Sequence, residues 1–216
     1  MSRTPFHARV VLLDWDGTLL DSYAADSRAY LAMFREMRID WGMAELERHY
    51  SPDWYQVYRA AGIPRPKWGR ADRLWRTAYR AECPPLLPGA RAVVRLLQRS
   101  FVLGLVTSGD RTRVGRQLRE FGLANYFAAR VCSEDASRKK PHPAPLKLAL
   151  ERLEARPEEC VYVGDAPEDV EMARRAGVRP IGVFGPFPTA DRIRAAQPDL
   201  LLRSIRDLPK HLHRRD

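Results

Sequence analysis

The chain of 216 residues is poor in lysine, in cysteine and in long apolar runs, and each scarcity excludes something. No stretch approaches the ~18 uncharged apolar residues of a membrane-spanning helix, so no membrane association is expected. Cysteine occurs three times, at Cys83, Cys132 and Cys160. An odd, widely spaced set supplies neither a disulfide framework nor a zinc site, and it predicts a reducing, cytoplasmic location. The segment before Val10 carries Arg3, His7 and Arg9 and lacks the apolar region of a secretory leader. Internal repeats and low-complexity segments are absent. Of the 37 basic residues only five are lysine, and the net charge is +10. Such a surface attracts anions. The arginines are spread along the chain without a nucleic-acid motif, so biased arginine usage explains them better than a nucleic-acid partner.

What is present begins with Val10-Val11-Leu12-Leu13-Asp14-Trp15-Asp16-Gly17-Thr18-Leu19-Leu20. Four large aliphatic residues read as a buried strand. It stops at two carboxylates one residue apart and a glycine that permits a tight turn. Asp-x-Asp-Gly alone is a common turn. At the carboxyl end of a buried strand, however, such carboxylates are costly to desolvate without a cation or ligand, and that edge is where open α/β sheets bind ligands.

A helix is predicted over 21–37, followed by aromatic-rich sequence without strand-like runs. Helices are expected at 44–50, 53–61 and 71–81, broken at Ser51-Pro52 and Gly62-Ile63-Pro64-Arg65-Pro66. Pro84-Pro85 and Pro88-Gly89 mark the end of this helical insertion. Strands at 101–106, 127–132, 160–163, 180–184 and 199–202 then alternate with helices at 90–99, 111–121, 144–154, 167–176, 190–196 and 204–212. That alternation predicts an α/β fold: a doubly wound, Rossmann-like parallel-sheet core, residues 1–20 and 88–216, with an inserted all-helical domain, residues 21–87.

In such a sheet the strand ends share one edge. They carry Asp14 and Asp16, then Thr107 and Ser108, then Lys140, then Asp165 and Asp169. Each alone has a bland reading as a cap or loop residue. Together they set several carboxylates, one ammonium and two hydroxyls at one mouth, which calls for a hard cation, most simply Mg²⁺. Pro141 and Pro143 set a loop in which His142 is a loop histidine and not a ligand.

The segments Asp14-Trp15-Asp16-Gly17-Thr18, Thr107-Ser108-Gly109, Lys140-Pro141-His142-Pro143 and Gly164-Asp165-Ala166-Pro167-Glu168-Asp169 resemble the four ordered motifs of the haloacid dehalogenase-like (HAD) hydrolase superfamily. The run 139–146, followed by Val161-Tyr162-Val163-Gly164-Asp165, is similar to its phosphoglycolate phosphatase branch, which carries a helical cap where this insertion lies. The resemblance implies that Asp14 is a nucleophile forming an aspartyl-phosphate and that Asp16 is a general acid-base. It implies Mg²⁺ held by Asp14, the backbone carbonyl of Asp16 and Asp165, with Asp169 as a further ligand or an orienter of Asp165, and Glu168 less favoured for the same roles. Thr107, the backbone N–H of Ser108, and Lys140 would hold the phosphoryl group. The second Asp argues for a phosphate ester over a halide, whose departure needs no proton.

The implied activity is a Mg²⁺-dependent phosphatase for a small phosphorylated, anionic metabolite, acting as a monomer or homodimer. A phosphomutase of the β-phosphoglucomutase type and a non-catalytic phosphate-ligand binding protein are the alternatives. The cap is expected to close over the mouth, hinged at Leu20-Asp21-Ser22 and Leu87-Pro88-Gly89. Arg28, Arg59, Arg65, Lys67, Arg73 and Arg76 are its candidate substrate readers, although a solvated helix face is the commoner use of such residues.

Overall fold

A computed structural model describes residues 6–214; residues 1–5, including Arg3 of the leader reading, and 215–216 lie outside the described residues. Two compact units emerge, one from the chain up to Asp21 with Leu86 onward, the other from Ser22–Pro85.

The first unit is built on a six-stranded parallel sheet. Its strands are β2 (Val10–Leu13), β3 (Val102–Val106), β4 (Ala129–Val131), β5 (Cys160–Gly164), β6 (Arg179–Val183) and β7 (Leu200–Leu202). Their spatial order is β4-β3-β2-β5-β6-β7. The chain thus runs outward from β2 in one direction, returns, and runs outward from β5 in the other. Between β2 and β5 lies the topological switch point, at whose carboxyl side such sheets bind ligands. The helices are α5 (Ala90–Leu97), α6 (Arg111–Glu120), α7 (Ala144–Arg152), α8 (Pro167–Arg175) and α9 (Ala190–Ala195).

Period-two alternation divides the core. Val11 and Leu13 join a cluster with Val93, Val94 and Leu118, whereas Val10 and Leu12 join one with Leu146, Ala149 and Met172. Both faces of β2 are therefore buried, which is why it reads as an unbroken apolar run.

Within this unit the two ends of the chain depart from expectation. Phe6–Ala8 forms β1 and pairs in parallel with β8 (Leu212–Arg214); three residues are too few for a recognisable pattern. The helix expected at 204–212 is a 3₁₀ stretch, Ile205–His211, with Pro209 inside it. Proline removes a donor that an α-helix needs, and the chain then turns into β8.

The second unit is all-helical: α1 (Tyr23–Glu36), α2 (Met43–His49), α3 (Trp54–Ala60) and α4 (Trp68–Tyr79). Its core joins Tyr30, Met33, Phe34, Leu46, Val57, Tyr58 and Ala71. Helix α4 starts earlier than expected, because a 3₁₀ turn over Arg65–Lys67 leads directly into it. The boundary also shifts from the expected 21–87: Leu86 bridges to Leu20, and the Leu87 N–H donates to the Leu19 carbonyl at 2.8 Å, so both leucines belong to the sheet unit.

Among the cations considered there as substrate readers, Arg28 forms a two-pronged pair with Glu82. Arg59 and Arg65 lie over the Trp68 ring, 5.5 and 5.6 Å from its centroid. Lys67, Arg73 and Arg76 are exposed.

Leu105 is fully buried in the sheet core, whereas Leu96 is 49% exposed on α5. Leu105→Ala is expected to lower unfolding free energy by about 2–5 kcal/mol through lost transfer energy and a cavity, and Leu96→Ala to stay within about 0.5 kcal/mol. Urea denaturation of the purified chain measures both.

Candidate active site

The site forms where the strands give out. Beyond β2, the Asp14 N–H still donates to the Val163 carbonyl at 2.9 Å, extending the ladder so that the carboxylate stands at the carboxyl edge. Lys140 arrives from the loop before α7, after which the peptide to Pro141 is cis. Asp165 follows β5, and Asp169 lies in the first turn of α8.

Lys140 is 3% exposed and all three of its protons have acceptors. Its ammonium donates to Asp14 Oδ1 at 2.8 Å and to the Tyr162 hydroxyl at 2.7 Å, and it pairs with Asp169 Oδ1 at 2.8 Å. The Tyr162 hydroxyl in turn has two acceptors for its single proton, the Val106 carbonyl at 3.0 Å and Asp169 Oδ1 at 3.1 Å. Asp169 Oδ2 accepts the Ala166 N–H at 3.1 Å, closing the start of α8.

Asp14, Asp165 and Asp169 each present one oxygen within 4.8 Å of the others, all buried. The only side-chain donor to Asp165 is the Thr18 hydroxyl, at 3.4 Å, among the described residues. Burial pushes the Asp14 carboxyl up to about 7, Lys140 pulling against it and Asp169 adding to the rise. Burial, then the charges of Asp169 and Asp14, hold Asp165 well above the usual carboxylate range. Burial works against the charge of Lys140 but is outweighed by Asp14 and Asp169, which keep it protonated. Tyr162 stays a neutral phenol, pushed up by burial and then by Asp169. Three buried carboxylates thus meet one ammonium. An all-oxygen donor set with an excess of negative charge fits a hard divalent cation such as Mg²⁺.

Glycines let the backbone come this close. Gly17 has φ +79°, and a Cβ there would lie 2.2 Å from Asp165 Oδ2; a Cβ on Gly164 would lie 2.4 Å from Asp169 Cγ. Neither position has room for a side chain.

The Thr107 hydroxyl accepts the Gly109 N–H at 3.0 Å, leaving its proton to donate. The Ser108 hydroxyl is buried and has no hydrogen-bond partner among the described residues. Asp16 is not a member of the carboxylate group. Arg113 donates to both of its oxygens, at 2.8 and 2.7 Å, and the sequence offers its backbone carbonyl, not its side chain, as the candidate cation ligand. Glu168 is likewise outside the group and pairs with Arg192 at 2.9 Å. His142 accepts the Ala144 N–H through Nδ1 at 3.1 Å, a loop contact.

The sequence does not mark out Tyr162 or Arg113 as site residues. Tyr162 had one available signal, a polar aromatic within an otherwise aliphatic strand. Arg113 had none, because it is one arginine among many.

The raised Asp14 carboxyl has a consequence for stability. Folded Asp14 binds its proton more tightly than unfolded Asp14, so its contribution is fully present below about pH 4 and is lost as pH rises through about 7. The melting temperature of metal-free protein, minus that of Asp14→Asn, is expected to fall between pH 5 and 8 at about the values set by this pair of ionisations, and excess Mg²⁺ to flatten the fall. Differential scanning calorimetry across that range gives the slope, and a rise would contradict it.

The chain is similar to known proteins over most of its length. The family model described as haloacid dehalogenase-like hydrolase matches residues 11–183. The chain is 25% identical over 204 residues to pyrophosphatase PpaX of Oceanobacillus iheyensis, covering 93% of this chain and 94% of that protein. It is 34% identical over 124 residues to phosphoglycolate phosphatase of Escherichia coli, but that match covers 57% of this chain and only 49% of the E. coli enzyme. Among solved structures, a hydrolase from Pseudomonas syringae superposes with TM-score 0.83 at 24% identity, covering 94% of this chain and 97% of that one. A haloacid dehalogenase-like family protein from Streptococcus pneumoniae gives TM-score 0.80 at 20% identity, covering 97% and 99%. Identities this low establish the fold alone for these two structures. The family match spans most of the sheet unit and all of the helical one, and takes in every clustered carboxylate: the chain belongs to the haloacid dehalogenase-like hydrolase family.

Proposed function

We propose that this protein hydrolyses a small, anionic phosphate monoester through a phosphorylated Asp14, with Mg²⁺ as its cation. It is an enzyme of the phosphoric monoester hydrolase class within its family. The observation that carries the reading is the buried Lys140 ammonium set between Asp14 and Asp169. Its pair with Asp14 engages Oδ1 and leaves Oδ2 for attack.

In the first half-reaction an Asp14 oxygen forms a bond to phosphorus, the ester P–O bond breaks, and Asp16 gives a proton to the departing oxygen. In the second, water attacks the phosphorus, Asp16 takes the water proton, and the Asp14–phosphorus bond breaks to release phosphate. Lys140 neutralises charge beside the transferring group, and the Thr107 hydroxyl and the Ser108 backbone N–H donate to its oxygens. Asp14, Asp165, Asp169 and the Asp16 carbonyl would hold the cation, which when bound offsets negative charge on the phosphoryl oxygens. The helical unit, Ser22–Pro85, is proposed as the cap that selects the substrate.

A panel of metabolite phosphate esters with Mg²⁺, read by phosphate release, is expected to yield turnover that chelation with EDTA removes. Asp14→Asn is expected to be inactive and Asp16→Asn slower by ~10²-fold or more. Turnover by clean Asp14→Asn protein would overturn the covalent route. A requirement for a sugar bisphosphate would move the assignment to a mutase. Inertness across the whole panel would favour a phosphate-binding protein without catalysis.

A further inference from the structure

The two carboxylates of the Asp14-Trp15-Asp16 segment pair with different cations. Asp14 faces Lys140 and the carboxylate cluster. Asp16 faces Arg113 of α6, whose two terminal nitrogens reach its two oxygens at 2.8 and 2.7 Å in a parallel, two-pronged pair. The Arg113 side chain is only 10% exposed and that of Asp16 23%. This is the planar fork geometry in which arginine holds a carboxylate in a single orientation.

Arg113 is itself held. Its backbone N–H donates to Asp110 Oδ1 at 3.0 Å, fixing the first turn of α6, and its Nε lies 3.8 Å from Asp110 Oδ2. Its Nη1 lies 3.4 Å from Gln117 Oε1, and that oxygen accepts the buried Trp15 indole N–H at 2.9 Å. A Cβ on Gly109 would stand 2.4 Å from Arg113 Nη2, so the preceding backbone leaves space for the guanidinium alone. Trp15, Gln117, Arg113 and Asp16 thus form one chain of contacts that begins and ends on the same turn.

Granting Asp16 the proton-transfer role proposed above, we infer that Arg113 is the positioning residue for Asp16: it keeps this carboxylate out of the cation cluster and in one orientation for both half-reactions. Arg113 acts through Asp16 and not on the phosphoryl group. Its removal therefore injures the proton transfer specifically. An ester with a basic leaving oxygen needs that proton, and one with an acidic leaving oxygen departs largely without it.

The test uses the full chain with Mg²⁺ and single-turnover release of phenol from 4-methoxyphenyl phosphate and 4-nitrophenyl phosphate. Arg113→Met is expected to slow methoxyphenol release about tenfold or more, while nitrophenol release stays within about threefold. Arg113→Lys, which keeps the charge and loses the fork, is expected to fall between wild type and Arg113→Met. Because one residue acts through the other, Arg113→Met with Asp16→Asn is expected to be no slower than Asp16→Asn alone. Equal slowing of both esters, or losses that multiply in the double variant, would overturn the assignment. If Arg113→Met fails to fold by circular dichroism, Arg113→Lys is held to the same two criteria. Turnover by Asp14→Asn would overturn the covalent route on which the two half-reactions of Asp16, and with them this role, rest. An inactive Asp14→Asn beside Arg113 variants indifferent to the leaving group would overturn this role alone.

Discussion

A buried ammonium tolerates few arrangements, and that of Lys140 has found one in which each of its three protons has an acceptor. Taking such a charge out of water is expensive unless its partners are close and complete. The partners come from the end of β2, the middle of β5 and the first turn of α8. Satisfying Lys140 therefore requires the sheet register, the α8 cap and the Lys140 loop to be correct together. Tyr162 extends the constraint: its hydroxyl joins the lysine to Asp169 and to the β3 backbone at Val106.

The same constraint separates two chemically identical side chains. Asp14 is surrounded by burial and charge that raise its proton affinity, and by an ammonium that opposes this. Asp16, two residues later, leaves the cluster and meets a guanidinium. Paired carboxylates divide nucleophilic and acid-base work when their surroundings differ in this way. Here the difference in surroundings comes from elements far apart in the chain, α6 on one side and the Lys140 loop on the other.

The helical unit follows different rules. Its interior is aromatic, with Tyr55 stacked on Trp68 at 4.5 Å and Trp75 on Tyr79 at 4.7 Å. Several of its cations serve that structure, Arg28 through Glu82 and Arg59 and Arg65 over Trp68. A rich supply of arginine in a sequence is thus a poor guide to ligand recognition, because guanidinium groups also stack and pair locally.

The sequence by itself determined the strand-helix alternation, the place of the helical insertion and the carboxylates at the strand ends, because burial on both faces of a parallel sheet leaves unbroken apolar runs that polar residues visibly terminate. It also exposed Asp14, Asp165, Asp169 and Lys140 as a set, since their positions follow from strand ends sharing an edge. It left β1 and β8 unseen, since three-residue strands carry no period, and it misread 204–212, where Pro209 converts a helical pattern into a 3₁₀ turn. Only the tertiary structure decided which oxygen each charged group meets: that Lys140 spans Asp14 and Asp169, that Tyr162 closes that network, and that Arg113, 97 residues from Asp16 in the chain, holds it. Periodicity reports which face a residue occupies, whereas pairing at 2.7–2.8 Å depends on side chains from distant segments converging, and no local pattern records that.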